Sequence, residues 1–434
     1  MGIEETPCLD VYRGMNKRYS DYIKVFDYLY QLSTNDYDDI KELFESITQI
    51  AIRKYHFPAI QLLQAIQKAC KFNDKYTRGY WELFKMVFEE FQPRLKQGQF
   101  NYPFDALINQ EYDMNWRLGK YSDLTIDQIL EVHKEGTALY YIMNDDFDRF
   151  LDLVHQDQIK VNEYIEGKYL IEWSAYYGAE LIFKFLRSNY EVALTRKCLE
   201  FAFLGRSVAI LIECLRYFPP DYSCFIYALA SHNLDSIIYI LNNSTISVDS
   251  FDCSIYNNLG AFLIVIDMGR DKDKNLMMSS YFFVPTLTKS LIDLGADVNC
   301  RGMNYETPLH YAAGSNSYEC AKVLLENGAD ITAKNEIGDT PLHFAASYNS
   351  KETAEIIIQY GGNCNAANDF GNTPLHNALM RQYIETASVL IENGADTNAK
   401  NEIGNTPLEY SNLELHVKEQ KFVARKITIS SDYD

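Results

Sequence analysis

Residues 333–342 read AKNEIGDTPL and residues 399–408 read AKNEIGNTPL, identical except where Asp339 stands against Asn405. The two words belong to a longer register. Thr-Pro-Leu recurs at 307–309, 340–342, 373–375 and 406–408, each 33 residues from the last, and Gly295, Gly328, Gly361 and Gly394 keep the same step. Self-similarity at a fixed period of this size marks stacked supersecondary units, none of which buries its apolar face alone.

Each position in the register carries its own chemistry. Thr307, Thr340 and Thr373 supply helix-capping oxygens, and Pro308, Pro341 and Pro374 suit the first helical turn. Ala312-Ala313 and Ala345-Ala346 thin one helix face for close packing. Asn316 and Asn349 fall where a left-handed turn joins two short helices. Val323-Leu324-Leu325, Ile356-Ile357-Ile358 and Val389-Leu390-Ile391 provide the buried stripe of the second helix. The glycine after each triplet ends that helix in the left-handed conformation. The polar stretch to the next Thr forms an exposed turn or hairpin. On residues such as GDTPLHFAASYNSKETAEIIIQYGGNCNA (338–366), this part of the chain resembles the ankyrin repeat family. The resemblance implies an all-α solenoid of helix pairs with hairpin loops, and a histidine that hydrogen-bonds between Thr and loop backbone.

Weaker echoes of the helix pair lie upstream, at Thr137–Val154, Leu170–Leu186, Cys198–Leu215 and Tyr222–Leu241. Gly178, Gly205 and Asn233 mark their turns at shorter steps, so these units have short loops. Tyr256–Ile266 and Tyr281–Leu294 read as two more degenerate pairs, with Asp267–Asn275 an exposed loop between them. Further upstream, Ile40, Leu43, Phe44, Ile47, Ile50 and Ala51 share one helical face, as do Trp81, Phe84, Val87, Phe88 and Phe91. The expected organisation is a helical N-terminal domain at 1–130, degenerate ankyrin-like pairs at 131–279, ankyrin repeats with a C-terminal cap at 280–427, and a tail at 428–434. Ser411–Lys426 is the expected cap, with Lys418, Glu419, Lys421 and Arg425 facing outward. Through NDKYTRGY (73–80) and the block 170–241, the arrangement resembles large ankyrin families of parasitic protists, whose helical N-terminal regions have no agreed activity.

Composition narrows the function. With 40 Lys and Arg against 60 Asp and Glu, the net charge is −20, which argues against nucleic acid or an anionic membrane as a bulk electrostatic partner. Nine cysteines without pattern suit a reducing intracellular compartment, the cytoplasm first, with the thiols acting as small hydrophobes. No apolar run reaches the ~18–20 residues of a membrane span. MGIEET fits an N-myristoylation pattern at Gly2 and Thr6, with Cys8 as a second acyl site, but Glu4, Glu5 and Pro7 oppose it.

Catalytic and metal chemistry find no support. His310, His343 and His376 sit on neighbouring units, roughly 8–10 Å apart, too far to share an ion whose ligands stand within about 4 Å of one another. Phosphate loops, dinucleotide fingerprints, kinase signatures and nucleophile elbows are missing from the sequence. Pairs such as Asp145-Asp146 and Glu89-Glu90 fit solvated helix faces. The expectation is a protein with no catalytic residue, no metal and no cofactor.

The residues that differ between repeats are then the functional candidates. In register these are Glu336, Ile337, Asp339 and Tyr348, then Asp369, Phe370, Met380 and Arg381, then Glu402 and Ile403, with Met303, Asn304, Glu306, Gly314 and Ser315 at the first repeat. The resemblance places Ile337, Phe370 and Ile403 at hairpin tips, where they present apolar groups to a protein partner. Residues 290–410 hold 16 Asp and Glu and 6 Lys and Arg, a net −10, which favours a basic or mixed-charge partner surface. A non-enzymatic adaptor that binds a protein through the concave face of its repeats is the leading reading. Two alternatives stay open: an enzymatic or regulatory N-terminal domain targeted by the repeats, and a lipid-anchored scaffold. If the three histidines are structural, melting with and without a strong chelator will coincide; a drop of several degrees on chelation would restore a metal.

Overall fold

A computed structural model describes residues 9–96, 98–114, 116, 124–205, 207–269 and 271–410. The acylation pattern at Gly2, Thr6 and Cys8 and the cap at Ser411–Lys426 lie outside the described residues. Contacts divide the chain into two compact units, residues 1–268 and 269–434. The architecture is all-α, a succession of short helices whose described strands are one two-residue pair, Tyr164–Ile165 against Lys168–Tyr169. No helix among the described residues is long and apolar enough to cross a membrane.

In the second unit the 33-residue register becomes three helix pairs: Pro308–Ser315 with Tyr318–Glu326, Pro341–Ser347 with Lys351–Gln359, and Pro374–Met380 with Ile384–Glu392. Thr307, Thr340 and Thr373 stand at the N-caps and the prolines occupy the first turn, where a missing N–H costs nothing. Asn316 and Asn349 take left-handed φ of 58° and 56°, and Gln382 does the same at 59° in the third pair. Gly295, Gly328, Gly361 and Gly394, with φ between 87° and 98°, end the second helices as expected.

Small residues set the distance between first helices. Ala313, Ala345, Ala346 and Ala378 are buried, and against them lie Leu342, Leu375 and Leu379. Ala354, Ile357, Ala387 and Leu390 close the same core from the second helices. Before the first pair stand Lys272–Ser279 and Pro285–Asp293. The first of these corrects the loop expected at 267–275. Asp271 caps it by accepting from the N–H groups of Asp273 and Lys274, at 3.1 Å each, and Leu276, Met277 and Met278 supply a buried face. A charged run reads as loop, but its aspartates are well placed at a helix N-terminus.

Among the described residues the first unit begins with seven α-helices, Leu9–Arg18, Ser20–Tyr30, Tyr37–Ile47, Ala59–Phe72, Thr77–Phe91, Phe104–Glu111 and Ile126–Leu130. The helix expected to carry Ile40 through Ala51 on one face instead widens after Ile47 into a π-turn, Thr48–Lys54. Thr48 donates its hydroxyl to the Phe44 carbonyl at 2.8 Å, and the added residue keeps Ala51 buried while Ile50 turns partly outward. Five helix pairs follow, from Ala138–Met143 with Phe147–His155 to Ser250–Ile255 with Leu259–Asp267.

Their turns use whichever residue tolerates positive φ: Asp145 at 49°, Gly178 at 73°, His232 at 53° and Asn257 at 51°. Asn233 is therefore not the turn residue; it caps the next helix, its side-chain oxygen accepting from Ser236 N–H at 3.0 Å. Gly205 is needed for closeness, since a Cβ there would lie 2.2 Å from the Ala175 carbonyl oxygen. His232 also ties the pairs to the N-terminal helices. Its Nδ1 lies 2.8 Å from Asp27 Oδ1, its ring stacks on Tyr30, and its carbonyl accepts from Gln31 Nε2 at 3.0 Å.

Ile357 is fully buried between neighbouring pairs of the second unit. Ile357→Ala removes packed methyl groups and will destabilise that unit by about 2–5 kcal/mol. Chemical denaturation measures this directly.

Candidate interaction groove

The groove is built from a backbone-bridging histidine upward. The Thr307 N–H donates to His310 Nδ1 at 3.1 Å, and the Thr307 hydroxyl lies 2.9 Å from the same nitrogen. On the other side of the ring, Nε2 lies 3.1 Å from the Asp339 carbonyl of the next repeat. An N–H donor facing Nδ1 and a carbonyl facing Nε2 leave one tautomer, the neutral ring with its proton on Nε2. His343 makes the same bridge from Thr340 to Asn372, and His376 from Thr373 to Asn405. Both nitrogens of each ring are thus engaged in holding the following hairpin.

The hairpins close on themselves and then on each other. Asn335 Oδ1 accepts from the N–H groups of Ile337 and Asp339, at 3.1 and 2.9 Å; Asn368 repeats both bonds with Phe370 and Asn372, and Asn401 accepts from Asn405 at 2.9 Å. Backbone links run from tip to tip: Glu336 N–H to Asn304 O at 2.8 Å, Asp369 N–H to Ile337 O at 3.1 Å, and Glu402 N–H to Phe370 O at 3.0 Å. Gly338, at φ 78°, is required where these tips meet, because a Cβ there would fall 2.7 Å from the Asp369 nitrogen.

This scaffold displays most of the sequence-derived candidates. Ile337, Phe370 and Ile403 project from three successive tips with 43%, 54% and 75% of their surfaces exposed. Glu336, Asp369, Glu402, Tyr348, Met380 and Arg381 are exposed as well. Asp339 is different, being only 7% exposed. Its carboxylate accepts from Asn368 Nδ2 at 2.7 Å and its carbonyl faces His310, so it holds one hairpin against the next.

A groove of about 250 Å³ runs between tips and first helices. Glu336, Ile337, Asp339, Tyr348 and Arg381 line it, whereas Asp369, Phe370, Met380, Glu402 and Ile403 stand outside its walls. Glu306, Glu336 and Asp339 outnumber Arg381, so the lining is acidic, and burial raises the pKa of Glu306. Sequence reasoning passed over Phe344, another wall of this groove, which directly follows the Thr-Pro-Leu-His word at 340–343. The signal was available: positions 311, 344 and 377 hold Tyr, Phe and Asn.

Burial pushes the ring pKa of His310 down to about 4, and those of His343 and His376 downward. A folded pKa below the unfolded value of about 6.5 means that the unfolded chain binds more protons between the two. The stabilisation is complete above pH 6.5 and is lost as pH falls toward 4. Long-range nitrogen–proton NMR will find the Nε2–H tautomer for His310 persisting below pH 5, and the acid-side fall in melting temperature will begin under pH 6.5. Titration of the His310 ring near its ordinary value would contradict the bridge.

A family model described as ankyrin repeats (3 copies) matches residues 253–335, 276–368, 332–401 and 357–417, overlapping one another. A second, described as a domain of unknown function (DUF3447), matches residues 190–265. No curated protein matches the chain. The first set begins upstream of the Thr-Pro-Leu register, within Ser250–Ile255. With the 33-residue period, the paired helices and the histidine bridges, these matches identify residues 253–417 as ankyrin repeats, of a kind that in general serves protein–protein interaction and is typically non-catalytic.

Proposed function

We propose that this protein is a non-enzymatic intracellular adaptor that captures a partner protein on the tips and first-helix side of its ankyrin repeats. The observation that carries the reading is the exposure of Ile337, Phe370 and Ile403 in a row, on a backbone whose own hydrogen bonds are already closed. Apolar side chains not needed for the fold, beside Tyr348, Met380 and Arg381, match the residue types that dominate protein interfaces. The acidic groove lining and the net −10 of residues 290–410 favour a partner with a basic or mixed-charge surface. The eight cysteines among the described residues are all buried and free, in keeping with a reducing cytoplasm. In this reading residues 1–130 form the helical domain, 131–279 the degenerate pairs, 280–427 the binding repeats with their cap, and 428–434 a tail.

The test separates recognition from folding. Affinity capture with the full chain identifies the principal partner, and the triple variant Ile337→Ala, Phe370→Ala, Ile403→Ala is compared with it. Exposed substitutions usually change stability by within about 0.5 kcal/mol, so melting will be unchanged. Loss of even one interface hot spot costs about 2 kcal/mol or more, roughly thirtyfold in affinity, so binding will fall by at least that factor. Unchanged affinity for the same partner would place the binding surface elsewhere on the chain.

A further inference from the structure

The first unit contains a cavity of about 600 Å³, inside the range of small-molecule sites. Its apolar walls are largely aromatic: Phe72, Tyr102, Phe104, Trp173 and Tyr256 all line it. Lys68 and Lys71, one turn apart on the helix Ala59–Phe72, line it too. Among the described residues the one hydrogen bond of the Lys68 ammonium runs to the Ile255 carbonyl at 2.5 Å, and its nitrogen stands 5.9 Å from the Tyr256 ring centre. Among the described residues neither lysine has a carboxylate partner. A half-buried ammonium that meets one carbonyl and one like charge leaves donor capacity and positive potential unanswered.

The carboxylates of the same cavity do not answer it. Asp74 feels Lys168 and the Tyr177 and Tyr176 hydroxyls, and its buried Oδ1 has no hydrogen-bond partner among the described residues. Lys168 itself lies 3.7 Å from the Trp173 ring centre. Glu166 lies 3.8 Å from His133 Nδ1, and His133 Nε2 lies 2.8 Å from the Tyr177 hydroxyl. Asp74 and Glu166 are grouped with His133 and Lys168, and the third carboxylate of the lining, the exposed Glu131, makes no ion pair with Lys68 or Lys71 among the described residues.

We propose that this cavity binds a small aromatic anion, its ring among the aromatic walls and its negative group on Lys68 and Lys71. The site is separate from the repeat groove and requires no chemistry of the ligand, only its shape and charge. Burial, with Lys71 adding to it, pushes the Lys68 ammonium down to about 8. An anion that pairs with the charged form will therefore bind less tightly as pH rises through that value. Of the neighbouring displaced groups, Asp74 is raised to about 6, His133 lowered to about 4, and Cys70 and Tyr256 raised to about 12, all outside this window, and Lys168 is lowered by burial. Glu131 and Glu166 are the other charged groups lining the cavity.

The probe is 8-anilinonaphthalene-1-sulfonate, an aromatic anion whose sulfonate stays ionised throughout, titrated into the full chain by fluorescence and calorimetry. N-phenyl-1-naphthylamine, the same skeleton without the charge, is the neutral comparison. We expect one saturable sulfonate site per chain. Lys68→Met, which keeps the apolar stem, will weaken it by about tenfold or more, the worth of a charge-assisted hydrogen bond, while Lys68→Arg will retain binding. Wild-type affinity will fall between pH 7 and 9, and that of Lys68→Met will not. Equal affinity of wild type and Lys68→Met, equal affinity for the neutral compound, or no saturable site would each overturn the proposal. Should Lys68→Met fail to fold, the wild-type pH profile decides: a flat profile from 7 to 9 overturns it.

Discussion

A buried imidazole that accepts from the backbone N–H of its own repeat and donates to a carbonyl of the next is the contact on which the regular array depends. His310, His343 and His376 repeat it with almost unchanged lengths. Because each ring is buried, an unmet nitrogen would carry the full cost of desolvation, so the bridge is far more expensive to break than to form. It fixes where each hairpin leaves the helix layer. Everything displayed at the tips inherits its position from that contact.

A second set of links acts on the outer side. Asn316 accepts from the backbone and hydroxyl of Thr353, at 3.2 and 3.1 Å, and donates to Glu352 at 2.7 Å; Asn349 donates to Glu385 and accepts from Thr386. The turn residue thus serves twice, once through its left-handed backbone and once through its amide. Gln382 keeps only the first of these roles among the contacts seen at the third pair. With histidines on one side and asparagines on the other, neighbouring repeats are held at two levels, and the alanine faces between them close without large side chains. The side chains of Ile337, Phe370 and Ile403 stand exposed at the tips outside both sets of links.

The first unit reaches the same helix-pair geometry by other means. Its turns use Asp145, Gly178, His232 and Asn257 where the regular array prefers Asn, and Gly178 and Gly205 let two backbones meet directly. In place of the interrepeat histidine, His232 is gripped by Asp27, Tyr30 and the Tyr256 carbonyl. The geometry is shared and the side-chain solutions are local, so one part of the chain repeats visibly and the other does not.

The sequence alone determined the all-α class, the period, the caps, the turns and the helix ends of residues 290–410, because each rests on local backbone chemistry at a fixed spacing. The single difference between 333–342 and 399–408 shows where that stops. Asp339 and Asn405 read as a variable, exposed pair, yet the Asp339 carboxylate holds Asn368 of the following hairpin, and Asn405 donates to the Tyr410 hydroxyl where the register ends. What each residue meets depends on the neighbouring repeat, which no local pattern specifies. Phe344 as a groove wall and the helix at Lys272–Ser279 were missed although local signals existed, a position that varies between repeats and the capping Asp271 ahead of a charged run. Dependence on distant neighbours is a separate cause. It hid the cavity of the first unit, whose walls come from residues 67 to 256 and meet only in the folded chain, where long-range packing brings lysines, aromatic rings and carboxylates around one space.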